Sequence, residues 1–503
     1  MDKAVKKLSP TKGGCQRFNV SIFLVKTFRL PNVCIIIGLL SLFFVEINRR
    51  SYESYIFDNS QSSIEIIESI RPSKDFTIIS HGFAGSKEMM RQIAYDIAGA
   101  GSNAVLFDFI GHGSNQYKLI NRPSEITGTT QQLVIQLSDI INFLHEKFGN
   151  EISVSLVGHS MASDIVIRAS VDERIESVVA ISPYSDAITK NFPKDLLLIS
   201  GQFESHLRFH ALQMVKIFKP AAKENMELSS EKIRRKASYI QNTGHVSVIY
   251  APQTMRIIID WLKIDNYDRP FWKTQIIWII IGVTLIVFGV SRFNSGLAYQ
   301  NVSGVEDKRA LGILLLASIF SLSSGLIEIN LIPIYGFERI AIYFGLIGLF
   351  SYLFSFDYQI TKPKINVLIY LKLILCFGVL CFLINRYIGS FTLSENRISA
   401  FIILILPITL FCLVIEKSIA TSSIWVSILL RALPIIGFSI LLVLFPEEYG
   451  LMFTTVLIYI LYFIVFGYIG RHQRKKVGYL KVGLAHGIFL SFAFAATNPI
   501  FAL

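Results

Sequence analysis

Beyond residue 270 the chain consists almost wholly of apolar runs long enough to cross a bilayer. They lie at 275–290, 310–327, 339–356, 367–384, 398–415, 424–445, 451–469 and 483–501, with short polar or charged turns between them. A helix needs about 20 residues to cross the hydrocarbon core, and each run approaches that length. A further run at 33–47 ends in Glu-Ile-Asn-Arg-Arg rather than at a small-residue cleavage site. It reads as an uncleaved signal anchor. The predicted organisation is a basic N-terminus at 1–32, an anchor helix at 33–47, a polar domain at 48–270 and a membrane domain of about eight helices at 271–503. Only 17% of residues are charged and 52% are hydrophobic, against roughly 25% charged in soluble domains. A plain soluble enzyme is excluded, and so are disorder and collagen.

The net charge of +12 follows the same plan. With the N-terminus inside, the inner segments are 1–32, 291–309, 357–366, 416–423 and 470–481. They hold 18 Lys and Arg and five acids, Glu416 among the latter. The short outer loops hold three, Arg339, Arg386 and Arg397. The basicity is therefore positive-inside bias rather than a nucleic-acid surface. This arithmetic puts the N-terminus in the cytoplasm of a multi-pass cell-membrane protein and residues 48–270 on its outer face. The bilayer is then a partner. Inside the spans, Arg431 and Lys372 read as snorkelling or paired charges, and His486, Pro407 and Pro434 as packing or kink positions. No internal repeat or paired broken helix points to a transporter.

The five cysteines are Cys15, Cys34, Cys376, Cys381 and Cys412. No pair has CxxC or metal-ligand spacing, so neither a disulfide framework nor a metal site follows.

Residues 48–270 alternate β-rich runs with amphipathic helical ones. Strands are predicted at 75–80, 103–109, 152–157, 177–181 and 195–200, with a last near 239–241. Helices are predicted at 87–99, 130–148, 163–170 and 254–262. Such alternation argues for an α/β fold, a mostly parallel, doubly wound sheet with sites at the strands' C-terminal edge. Three features fall on that edge. Gly158-His159-Ser160-Met161-Ala162 follows the run ISVSLV and precedes a helix, the setting in which a tight turn exposes a serine hydroxyl. Ala162 stands where a second glycine is usual. Glu204 follows the strand DLLLIS, where a carboxylate can orient an imidazole; Asp186 is the rival acid. His245 precedes the closing helix and is placed to be the general base. Its competitors are His81, His112, His145, His159, His206 and His210; His159 lies in the turn, aimed away from the reacting atom.

The chain order Ser160, Glu204, His245, with the strand–turn–helix serine, resembles the α/β-hydrolase superfamily. Ser80-His81-Gly82-Phe83 looks like its HG oxyanion loop. Asp108-Phe109-Ile110-Gly111-His112-Gly113-Ser114 looks like the D-x-x-G-H-G-x-S stretch of the monoacylglycerol-lipase and serine-aminopeptidase branch. The resemblance covers roughly residues 60–265 and does not extend to the membrane domain. It implies an α/β-hydrolase domain fused to an all-α transmembrane bundle, with Ser160 as nucleophile, His245 as base and Glu204 orienting His245. The backbone N–H groups of Phe83 and Met161 would hold the oxyanion. No cofactor or metal is implied. The stretch 183–194, where that superfamily carries a cap, is too short for one. The cover would come from 116–128, from 203–236 or from the membrane domain. The expected substrate is an acyl ester, small or lipid-like. The alternatives are a peptidase or amidase, and a transporter, sensor or scaffold with a degenerate hydrolase domain. Substrate identity and oligomeric state are left open.

Overall fold

The strands of the polar domain are short runs of aliphatic residues with almost no alternation of polarity, the pattern of a sheet covered on both faces. The computed structural model describes residues 30–59, 61–120, 126–265, 269–292, 305–355, 367–389 and 392–503. Nearly all of the basic N-terminus, much of 291–309 and all of 357–366 lie outside the described residues. Helix α1 (Leu30–Arg50) leads into β1 (Ser54–Asn59), β2 (Ser62–Ile67), β3 (Asp75–Ser80), α2 (Lys87–Ala100) and β4 (Asn103–Phe107). There follow α3 (Gln131–Phe148), β5 (Ser153–His159), α4 (Met161–Ala169), β6 (Ile175–Ile181) and β7 (Asp195–Gly201). The domain ends with α5 (Ser205–Lys216), β8 (Glu227–Ser229), β9 (Arg234–Ile240) and α6 (Pro252–Leu262).

The sheet runs β1-β2-β4-β3-β5-β6-β7-β9-β8. It is parallel from β4 to β9 and antiparallel where β1, β2 and β8 join. Successive residues point to opposite faces. Ile78, Val105, Leu156, Val178 and Leu198 pack under α3, α4 and α5. Their neighbours Ile79, Leu106, Val157, Val179 and Leu197 pack under α2 and α6. The register puts Ser80 beside Gly158, His159 beside Ile181 and Gly201 beside Ile240. The turns after these strands therefore share one edge.

Several elements differ from the sequence expectation. The last parallel strand starts at Arg234 rather than near 239. Its Arg235 is fully buried and donates to the carbonyl of Pro193 at 3.0 Å, and a run Arg-Arg-Lys gives no strand signal. The β1–β2 hairpin and α5 were not expected. The strand at 103–109 stops at Phe107 because Asp108 turns inward to accept the N–H groups of Lys87 and Ser114.

The C-terminal region contains α7 (Gln275–Arg292), α8 (Asp307–Phe320), α9 (Phe337–Ser355), α10 (Val367–Ile384), α11 (Glu395–Ser418), α12 (Ile424–Leu444), α13 (Phe453–Val477) and α14 (Tyr479–Thr497). Among the described residues nine helices, α1 included, are long and apolar enough to cross a membrane. Helix α1 runs three residues beyond the expected run at each end, and its Arg49 pairs with Glu88 of α2 at 2.9 Å. The last helix ends at Thr497 instead of 501. The residue before a proline disfavours helix, and Asn498, ahead of Pro499, is extended with ψ 137°. The chain then docks on the α/β domain: Leu119 N–H donates to Ile500 O and Ala502 N–H to Leu119 O.

Arg431 is paired: its guanidinium donates to Glu416 at 2.6 Å. Glu416 is wholly buried in the bundle, not in an inner loop, and binds Arg474 as well. The stretch 471–476 is thus partly an internal ion-pair element. Lys372 is exposed on its helix.

Candidate active site

Strand β5 ends in a turn that only certain residues tolerate. A Cβ on Gly158 would lie 2.4 Å from the carbonyl oxygen of Ala162, so glycine is required there. The buried methyl of Ala162 itself is accommodated. Ser160 stands at φ +56°, ψ −118°, a conformation disfavoured for a side-chain-bearing residue and held by its surroundings. Its N–H donates to Ile181 O at 2.8 Å, pinning the turn to the neighbouring strand.

The loop after β9 brings His245 over this serine. His245 Nε2 lies 2.9 Å from Ser160 Oγ, and Nδ1 lies 2.6 Å from Glu204 Oε1. A carboxylate can only accept, so the imidazole proton sits on Nδ1, and Nε2 is left to accept from the serine hydroxyl. Glu204 Oε2 accepts from Gly201 N–H at 2.5 Å and from Ser182 Oγ at 2.9 Å. Burial raises the pKa of Glu204, but the hydrogen bonds from His245, Gly201 and Ser182 outweigh it and hold the carboxyl below its ordinary value. The three residues singled out in the sequence are brought together.

Sequence reasoning missed the residues that hold them. His159 Nε2 donates to the backbone carbonyl of His245 at 2.8 Å. Burial pushes its pKa down to about 4, so it is a neutral donor at pH 7. Ser182, the first residue after β6, supplies the second donor to Glu204. Its position one step past a strand's C-terminal end was the available signal. Three of the rivals are engaged elsewhere. Asp186 is exposed and pairs with Arg168. His81 Nε2 accepts from Phe109 N–H at 3.0 Å, and its Nδ1 donates to Gly82 O at 2.8 Å. His112 donates through Nδ1 to Ile110 O, and burial lowers its pKa to about 3.

The HG turn lies against the serine: a Cβ on Gly82 would sit 3.0 Å from Ser160 Cβ. Met161 is the first residue of α4, where the backbone N–H has no partner within the helix. Residues 183–194 pass from β6 to β7 without a helix, as their length predicts. Next to Glu204 and His245 in the chain stand exposed apolar side chains, Phe203 and Val246. Phe83 packs on Phe453 and Phe501. Of the three expected covers, the helical bundle is thus one that touches the HG turn. Residues 121–125 of the 116–128 stretch lie outside the described residues.

Residues 71–261 match the family model described as Serine aminopeptidase, S33. A search of curated proteins finds no match. Solved structures that resemble the chain include a CIB-like hydrolase from Thermoplasma acidophilum, 15% identical with TM-score 0.32, covering 42% of this chain and 98% of that one. Others are dienelactone hydrolase from Anabaena variabilis (13% identical, 42% and 95% covered, TM-score 0.30) and MenH from S. aureus (12%, 41% and 98%, 0.31). The matched segment has an α/β-hydrolase fold, and the described residues beyond it form a helical region of membrane-span character.

Proposed function

Starting from an α/β-hydrolase domain, we propose that this protein is a membrane-embedded serine hydrolase that cleaves a carboxylic ester through an acyl-enzyme. The observation that carries the reading is the unbroken hydrogen-bonded line from Ser160 through His245 to Glu204. In this reading Ser160 Oγ attacks the acyl carbonyl while His245 Nε2 takes its proton, and Glu204 stabilises the resulting imidazolium. The N–H groups of Phe83 and Met161 receive the oxyanion; losing one such donor typically costs about 10²–10³ in rate. Collapse of the tetrahedral species expels the alcohol, which takes the proton from His245. Water, deprotonated by His245, then attacks the acyl-enzyme, releases the acid and returns the proton to Ser160. No step calls on a cofactor.

A site with no cap between β6 and β7, with exposed Phe203 and Val246 next to Glu204 and His245 in the chain, suits a lipid-derived or membrane-partitioning acyl chain. The match to a serine aminopeptidase model favours a second reading, peptide or amide cleavage by the same residues. Domain limits of 48–270 for the hydrolase and 271–503 for the bundle, with the hydrolase on the outer face, complete the proposal; the distribution of Lys and Arg supports that orientation.

A fluorophosphonate probe tests the chemistry. It should label wild type and not Ser160→Ala, whereas a folded wild-type protein that stays unlabelled leaves only a scaffold. Ester and peptide panels separate the two enzymatic readings. For topology, Ser230→Cys places a thiol on an exposed loop. An impermeant maleimide should reach it in intact cells, and protection until lysis would reverse the orientation.

A further inference from the structure

The oxyanion turn is gripped by the helical bundle. The Phe83 ring stacks on Phe453, the first residue of α13, with centroids 5.4 Å apart and planes 22° apart. Phe501, from the segment beyond α14, lies 6.2 Å from the same ring. Phe501 is buried, and its neighbour Ile500 donates to Gly111 O at 2.9 Å. Gly111 sits at φ +75°, and a Cβ there would lie 2.8 Å from Ile500 O. The close approach of the C-terminal strand therefore depends on this glycine.

A second attachment reaches the turn from behind. The buried guanidinium of Arg397, at the start of α11, donates to the carbonyls of Ala495, Ala496 and Asn498. It also donates across the domain boundary to Gly113 O at 3.3 Å. Gly113 belongs to the loop that wraps the Asp108 carboxylate, and a Cβ on it would strike that carboxylate. The next residue along, Phe109, donates its N–H to His81, whose other nitrogen donates to Gly82 O. Bundle contacts thus meet the turn at the Phe83 side chain and, through His81, at the Gly82 carbonyl.

We propose that the bundle is a built part of the active site, with Phe453 and Phe501 as positioning residues that set the Phe83 N–H toward the oxyanion. This rests on the reading of Ser160 as nucleophile. The physical reason is geometric. An oxyanion donor acts only when held about 2.7–3.1 Å from the developing charge, and a misplacement near 1 Å is worth about 10² in rate. The turn that carries Phe83 is short, and the next residue, Ala84, is in the left-handed region at φ +55°. The aromatic stack fixes where the Phe83 side chain goes and so limits the rotation of its peptide plane. The C-terminal helices thereby act on the chemistry itself, beyond anchoring the enzyme.

The test uses the full chain in detergent or liposomes with p-nitrophenyl butyrate as substrate. Active sites are counted by fluorophosphonate labelling carried to completion, and kcat is expressed per labelled serine. Phe453→Ala should lower kcat by about 10–10²-fold, with KM changed less than about threefold. The Ki of a trifluoromethyl ketone, whose adduct oxygen occupies the oxyanion position, should rise in parallel. Phe453→Tyr, which keeps the ring, should stay near wild type. A merely structural role would reduce the number of labelled sites and leave kcat per site unchanged, and that result overturns the proposal. So does a kcat loss without a parallel change in ketone Ki. If wild type is neither labelled nor active, the nucleophile reading and this proposal fail together; if only Phe453→Ala is indifferent, the nucleophile reading stands alone.

Discussion

Replacing Glu204 by glutamine keeps the shape of the site and reverses one proton. In the wild type Oε2 receives two donors, Gly201 N–H and Ser182 Oγ, while Oε1 faces His245 Nδ1. A glutamine carbonyl must take the two-donor position, because an NH₂ there would face an N–H and leave both unpaired, which costs about 1–3 kcal/mol. The NH₂ then points at His245 Nδ1 and requires that nitrogen to accept. The imidazole proton moves to Nε2, toward Ser160, and the base can no longer take the hydroxyl proton. Loss of the correct tautomer with the geometry intact is worth about 10⁴ in kcat. Glu204→Gln should therefore fold and show about that loss with p-nitrophenyl butyrate, with little change in KM and much slower fluorophosphonate labelling. Activity within tenfold of wild type would refute the claim that Glu204 sets the tautomer.

Three further outcomes follow from the same contacts. Gly158→Ala pushes a methyl to 2.4 Å from Ala162 O; the elbow must shift at a cost of about 1–3 kcal/mol, read as a lower melting temperature together with lost labelling. Ser182→Ala removes one of three donors to a buried carboxylate and should destabilise by about 1.5–3 kcal/mol, with kcat falling and KM steady; a thermal shift assay and initial rates check both. Burial raises the pKa of Glu88, but Arg91 and Arg49 outweigh it and hold the carboxyl near 2. A lowered folded-state value stabilises above the unfolded value, 4.5, and the contribution is lost as pH falls toward 2. Glu88→Gln should thus be less stable by about 3–5 kcal/mol at pH 7, and the two melting temperatures should converge as pH drops through that window; a constant gap would contradict the ion-pair account.

The parts of this protein legible in its sequence are those set by local periodicity and adjacency. Apolar runs located the nine helices of span length among the described residues, since crossing hydrocarbon demands continuous apolar length whatever the neighbours are. Aliphatic runs located the central parallel strands, and the residues that follow a strand's C-terminal end share one edge by topology, which is why Ser160, Glu204 and His245, singled out in the sequence, lie within hydrogen-bond reach of one another. The boundaries that moved did so through contacts between distant residues: Arg235 enters a strand because Pro193 offers a carbonyl, and the segment after the last helix runs extended because Ile500 N–H donates to Gly111 O and Ala502 N–H to Leu119 O. Only the tertiary structure decided that His159 and Ser182 support the triad, that Glu416 joins Arg431 and Arg474, and that Phe83 meets Phe453. Partners 22, 58, 86 and 370 residues apart leave no mark in any local window, because the chain pattern specifies which face a side chain takes but not which remote side chain will occupy the space before it.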